Sequence, residues 1–133
     1  MNYILDTNTC IYIIKRKPES VLDRLKQIPL GLIGISVITL SELVYGVKKS
    51  AFPEKNLEAL KQFLIPFELF QFDYNCAIEY GKIRSDLEKK GTPIGALDML
   101  IAAHAKSLSH ILVTNNEKEF KRIEGLKIEN WVN

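Results

Sequence analysis

Two rhythms of apolar and polar positions run along this chain, and the switches between them divide it into short strands and amphipathic helices. The apolar run "YIL" is cut off by Asp6 and Thr7, good helix-capping types, which predicts a strand at Tyr3–Leu5 and a helix over 7–16. Pro18 opens a second helix, in which Val21, Leu22, Leu25 and Ile28 recur with the helical period. "GLIGIS" (31–36) is β-rich and flanked by glycine, a second strand, and "VITLSELVYGVKKS" (37–50) is helical with lysines at its C-terminus. Pro53 starts a helix over 53–65, "FELFQF" (67–72) is a third strand, and a long amphipathic helix over 74–90 is closed by Gly91. A largely apolar helix over 94–109, a strand "HILVT" (110–114) and a short fifth strand in "KIENWV" (127–132) complete the pattern.

Strands therefore alternate with helices throughout. Parallel neighbours need crossover connections, so the expected fold is α/β: a three-layer α/β/α sandwich around a mainly parallel sheet of four to five strands. No repeat, low-complexity tract or linker interrupts the chain, and residues 1–133 are expected to form a single domain.

Composition narrows the class without naming a function. With 47% hydrophobic and 26% charged residues, the chain is neither disordered nor fibrous. No apolar run approaches the roughly 18 residues of a membrane span and the start lacks a secretory pattern, so a cytoplasmic location without membrane contact is expected. Cys10 and Cys76 lie far apart inside apolar patterns, which predicts buried, reduced thiols. The net charge is only +2, but 18 basic residues stand against 16 acidic ones, and sequestering several acids in one site would leave the remainder basic enough for a polyanion.

The acids are where chemistry enters. In open α/β sheets ligands bind beyond the carboxyl ends of the strands, and Asp6 sits at that edge of strand one. The helix over 94–109 runs back toward the start of the following strand, so its first turn, with Asp98, lies at the same edge. "NNEKEF" begins at the carboxyl end of strand four and delivers Asn115, Asn116, Glu117 and Glu119 there. Glu42 is flanked at helical spacing by Ile38 and Tyr45, which predicts partial burial, costly without a partner. Each acid also has a plain structural role available: Asp6 as a helix cap, Thr39 with Glu42 and Asn116 with Glu119 as capping boxes, Asp98 at a helix dipole. Those roles do not explain why at least three acids gather at one edge.

Like charges about 4 Å apart repel by roughly 4 kcal/mol at an effective dielectric of 20, so such a cluster needs protons or a cation. All-oxygen ligands select Mg²⁺, with Mn²⁺ as a substitute, over zinc. His104 shares a helical stripe with Leu97 and Ile101 and is expected to be packed rather than ligating; His110 is a weaker candidate still. An ion held by carboxylates can neutralise a phosphodiester oxygen and acidify a water, while a carboxylate off the ion orients that water.

"YILDTNTCIYII", "SVITLSELVYGV", "GTPIGALDMLIAAHA" and "ILVTNNEKEFKRI" resemble, in order and spacing, the signature segments of PIN-domain ribonucleases, and more narrowly VapC-type toxins of bacterial toxin–antitoxin pairs. The resemblance covers essentially the whole chain. It implies Asp6 and Asp98 as principal metal ligands, Glu42 as the third acid, often acting through water, and Glu119 as the fourth, with Thr114 and Asn116 shaping the pocket. Glu119 stands where many relatives have Asp. The resemblance further implies RNA cleavage to 5′-phosphate and 3′-hydroxyl ends, inhibition of translation, dimerisation and higher assembly, and silencing by a VapB-type antitoxin. The "GTPIG" and "TNNEKEF" segments resemble the subgroup that cuts initiator tRNA in its anticodon stem-loop.

Three basic groups could meet RNA phosphates: Lys15, Arg16 and Lys17; Lys48 and Lys49; and Lys118, Lys121 and Arg122 around Glu119. For the first two groups, solvated helix ends favoured by the dipole are at least as good a reading. "CIYII" (10–14) is too apolar for a helix with one buried face, which suggests either core packing or a partner surface, a second copy or an antitoxin segment near helix two. The alternative function is a catalytically idle metal- or RNA-binding module of the same fold. A haloacid-dehalogenase-type phosphotransferase would need a second Asp where Asn8 stands, and a receiver domain would need an acidic pair at strand one that is missing.

Overall fold

The computed structural model describes residues 2–133. Five strands, β1 (Tyr3–Leu5), β2 (Ile33–Ser36), β3 (Glu68–Phe70), β4 (Ile111–Val113) and β5 (Ile128–Glu129), form one sheet in the order β3-β2-β1-β4-β5. Every neighbouring pair is parallel. The connections are helical: α1 (Thr7–Lys15) and α2 (Glu19–Lys26) before β2, α3 (Val37–Lys48) and α4 (Pro53–Leu64) before β3, α5 (Tyr74–Lys89) and α6 (Ala96–Leu108) before β4, and α7 (Glu117–Phe120) before β5.

Because successive strand residues point to opposite faces, the sheet separates two cores. Ile4 and Leu112 face Ile83 and Leu87 of α5 and Met99, Ile101 and Ala105 of α6, with Phe120 of α7. Leu5, Ile33, Ile35 and Val113 face Cys10 of α1, Val21 of α2, Leu43 of α3 and Leu60 of α4. Chain direction explains the split. The chain steps outward from β1 through β2 to β3, then returns to lay β4 on the other side of β1, and right-handed crossovers place helices on opposite faces when the direction reverses. The expected sandwich and its parallel sheet are therefore present.

Local details differ from the sequence pattern at element ends. The second strand begins at Ile33, because Leu30–Leu32 form a 3₁₀ turn. Within it, a Cβ on Gly34 would run into the ring of Phe70 on β3, so the glycine marks a close approach. Strands three, four and five are all shorter than their apolar segments, and Pro18 is the residue before α2, not part of its first turn. Gly91 does close α5, at φ 70°. The four residues of α7 leave no periodicity to read, and only the Asn116–Glu119 spacing pointed to a helix start there. Cys10 and Cys76 are both buried and free, as expected. Among the described residues, no helix is long and apolar enough to cross a membrane.

Register sets the position of the site. Leu5 is level with Ile35 on β2 and with Val113 on β4, so the next residues, Asp6, Ser36 and Thr114, stand side by side at the carboxyl edge of the sheet. The chain reverses its direction of travel between β1 and β4, and their diverging loops open the crevice where such folds bind ligands.

Candidate metal and catalytic site

Asp6 closes β1 and opens α1. Its backbone is extended (φ −78°, ψ 173°) and its carboxylate accepts the Thr9 N–H at 2.8 Å, so the cap is real. The N–H of Asp6 donates to the Val113 carbonyl at 3.0 Å, and the Thr9 hydroxyl donates to the same carbonyl at 3.1 Å, tying the helix start to β4. Asp6 is only 6% exposed. Burial raises its pKa above the ordinary carboxylate value; hydrogen bonds from Thr114 and Thr9 pull it down and the Glu42 charge pushes it up further.

Glu42 comes from the middle of α3. The capping box suggested for Thr39 and Glu42 is absent: the helix cap is Ser36, whose hydroxyl accepts the Ile38 N–H at 3.0 Å, and Thr39 lies inside the helix. Glu42 is half-buried, as its apolar neighbours implied. Its partner is the hydroxyl of Thr7, which donates to Oε1 at 2.6 Å across 35 residues of sequence. Sequence reasoning missed that contact, although Thr7 lies in the quoted "LDTN" and a hydroxyl beside a buried acid is a usable signal.

Asp98 occupies the first turn of α6, after Gly95. Glu119 lies on α7, and Asn116 reaches it with its amide at 2.7 Å. That amide caps no backbone group, so the second suggested capping box is replaced by a side-chain pair. Asp98 has its pKa pushed up to about 6, first by burial, then by Glu119 through charge and a shared hydrogen bond, then by the charges of Glu42 and Asp6. The four acids thus act on one another electrostatically. Thr114, directly after β4, is fully buried, its hydroxyl accepting the Asn116 N–H at 2.9 Å.

The remaining rim residues turn elsewhere. Glu117 accepts from Asn130 at 3.0 Å and pairs with Lys121 at 3.8 Å; Asn115 donates to the Tyr12 hydroxyl at 2.9 Å. Arg122 donates to the Pro93 carbonyl at 3.0 Å, so the bases near Glu119 in sequence do not neutralise it. Among the described residues, none of Asp6, Glu42, Asp98 and Glu119 enters an ion pair.

An acidic cluster without a basic counter-charge, offering oxygen donors only, fits a hard divalent cation. Softer donors are withheld. The Cys10 thiol is pushed well up by burial and by Asp6, and His104 is buried with Nδ1 2.6 Å from the Ser36 hydroxyl and its ring against Phe70 and Phe72, the packed role expected for it. The acids are not a closed cage: among the described residues, no three His, Cys, Asp or Glu side chains stand close enough to hold one ion by themselves. Mg²⁺ suits such an open arrangement, because it keeps several waters and binds through one or two carboxylates.

Comparison with known proteins gives one answer at every level. The PIN-domain family pattern matches residues 3–126. The chain is 46% identical over 131 residues to the tRNA(fMet)-specific endonuclease VapC of Salmonella typhimurium, with 98% of each chain covered. It is 47% identical over 132 residues to ribonuclease VapC2 of Rickettsia felis, again with 98% of each covered. A chain in the crystal structure of DNA-bound VapBC from Salmonella typhimurium superposes with a TM-score of 0.93 at 46% identity, covering 98% of both. The chain belongs to the PIN-domain family and, within it, to the VapC ribonuclease toxins.

Proposed function

We propose that this protein is a Mg²⁺-dependent endoribonuclease, a single domain over residues 1–133, that hydrolyses RNA to 5′-phosphate and 3′-hydroxyl ends. PIN-domain nucleases generally need divalent metal ions. The observation that carries the reading is the carboxylate cluster without a counter-charge at the strand ends, with Asp98 pushed up to about 6 first by burial and then by its acidic neighbours. Asp6 and Asp98 would hold the ion, Glu42 would reach it through water, and Glu119, steered by Asn116, completes the acidic wall with Thr114 behind Asp6. Such an ion, for which Mn²⁺ would substitute, would supply charge neutralisation at the scissile phosphate and make a bound water more acidic than bulk water. A carboxylate without a direct bond to the ion, Glu42 or Glu119, would orient that water and take up its proton as general base.

The substrate proposed is initiator tRNA, cut in the anticodon stem-loop so that translation stops in the cytoplasm; the support is the 46% identity to a VapC named tRNA(fMet)-specific. The proposed partner is a VapB-type antitoxin, within a homodimeric toxin and a larger toxin–antitoxin assembly, since structures resembling this chain include VapBC complexes. A groove of about 480 Å³ between α1, α3 and α4, floored by Ile11, Ile14, Leu43, Val47 and Leu60 and ending at Glu42, gives the excess apolar surface of "CIYII" a use as the antitoxin's seat. That groove lies against α3 and α4, away from the second helix where a partner segment was expected.

The test is cleavage of a total tRNA pool by the purified chain with and without Mg²⁺, with cut ends mapped and Asp6→Asn as control. The expected result is metal-dependent breaks concentrated in initiator tRNA. Activity that survives chelation or the Asp6→Asn change would sink the metal reading, and cuts elsewhere would remove the tRNA assignment while leaving the nuclease.

A further inference from the structure

The acids of this site are held in two ways. Asp6 and Asp98 are short and sit at the starts of their own helices, so the backbone places them. Glu42 and Glu119 have longer side chains with more rotamers to choose from, and each is tethered by a neutral donor: Asn116 to Glu119 at 2.7 Å, Thr7 to Glu42 at 2.6 Å. A neutral tether fixes a carboxylate without cancelling the charge that a cation would use. A lysine or arginine in the same place would compete with the ion.

We propose that Thr7 is the positioning residue for Glu42, selecting the rotamer that turns its second carboxylate oxygen toward the ion or the ion's water. The proposal rests on the reading of Glu42 as part of the metal site. At 2.6 Å the contact has the length of a charge-assisted O–H···O⁻ bond, and it is the only hydrogen bond that the Glu42 carboxylate makes among the described residues. Thr7 is a stiff arm, because its branched Cβ restricts χ1. It is also mounted on a fixed base, since the start of α1 is tied to the Val113 carbonyl by both Asp6 and Thr9. The chain of contacts from β4 through Asp6 and Thr7 to Glu42 links α3 to the element that carries Asp6. Oε1 accepts from Thr7, and Oε2 makes no hydrogen bond among the described residues.

The experiment titrates Mn²⁺ into the metal-free protein and follows thermal stability, for wild type, Thr7→Val, Thr7→Ala, Thr7→Ser and Glu42→Gln. Thr7→Val keeps the shape and removes the hydroxyl; Thr7→Ala guards against overfilling. Both are expected to raise the half-saturating Mn²⁺ concentration about tenfold, the lower end of what outer-sphere partners of metal ligands contribute. Thr7→Ser is expected to return it to within about twofold, and the metal-free melting temperatures should stay close to wild type, which a merely structural role would not produce. If Glu42→Gln weakens Mn²⁺ binding while Thr7→Val and Thr7→Ala do not, Thr7 does not position Glu42, although the metal reading stands. If Glu42→Gln itself binds Mn²⁺ like wild type, the metal role of Glu42 fails and the proposal goes with it.

Discussion

Asp6 and Asp73 perform the same local task in opposite surroundings. Each follows a strand in extended backbone, each caps the next helix, and each accepts an N–H from the residue three positions on, Thr9 at 2.8 Å and Cys76 at 3.1 Å. Their acidities nevertheless move in opposite directions. Asp73 is exposed, and the Cys76 N–H holds its carboxyl below the usual range. For Asp6, burial outweighs the same kind of bond and Glu42 adds repulsion, so its pKa rises. A cap needs no burial, as Asp73 demonstrates. The burial of Asp6 among other acids is therefore an expense the cap does not explain, and the proposed ligand role would explain it.

The largest expected separation between the two is catalytic. Asp6→Asn or Asp98→Asn should lower RNA cleavage by at least roughly 100-fold, the consequence of losing about 3 kcal/mol of charge stabilisation, whereas Asp73→Asn should leave the rate unchanged. Equal losses from Asp6→Asn and Asp73→Asn in a cleavage assay would erase the distinction.

Metal binding should separate them next. At a hundredfold excess over Kd, Mg²⁺ or Mn²⁺ should stabilise the wild type by about 2.7 kcal/mol, a rise in Tm of roughly 10 °C. Scanning calorimetry should show that gain intact in Asp73→Asn and lost in Asp98→Asn. No stabilisation of the wild type at millimolar ion would argue against a preformed site.

The pH dependence has opposite signs. Asp98, raised from 3.8 to about 6, binds its proton more tightly folded than unfolded. Its contribution is fully present below the unfolded pKa and is lost as pH rises through about 6, so metal-free stability should decline across that window. Asp98→Asn should flatten the decline in a pH series of melting curves, and saturating Mg²⁺ should reverse it. Asp73 does the reverse: its lowered pKa contributes stability above 3.8 that disappears as pH falls through the folded value.

The smallest effect belongs to the cap alone. Asp73→Ala should lower Tm by a few degrees at most, and Asp73→Asn should recover most of it, because Asn caps nearly as well. A large loss from Asp73→Asn in the same melting assay would mean that its charge does more than cap.

Much of this was legible in the chain. The alternation of periods placed all five strands and six of the seven helices near their observed positions, because each buries a patterned face wide enough to see. The helix Glu117–Phe120 and the ends of β2 and β3 were not legible, since a 3₁₀ turn, a ring over Gly34 and a four-residue helix leave no period. The two capping boxes read from Thr39 with Glu42 and Asn116 with Glu119 failed for different reasons: the helix already starts at Val37, which leaves Thr39 inside it with its hydroxyl unpartnered, and the Asn116 amide turns to the Glu119 side chain instead of a backbone group.

What the sequence determined by itself is therefore the order of elements, the residue types at the strand ends and the excess of acids there, since periodicity and capping chemistry are local properties of the chain. Tertiary structure alone decided which acids meet. The register of Leu5 with Val113 sets Asp6 beside Thr114, the return of β4 to the side of β1 brings Glu119 and Asp98 within reach of each other, and Thr7 finds Glu42 across 35 residues. Those contacts depend on distances through space that no spacing along the chain encodes, and the same is true of the burial that makes Asp6 and Asp73 different acids.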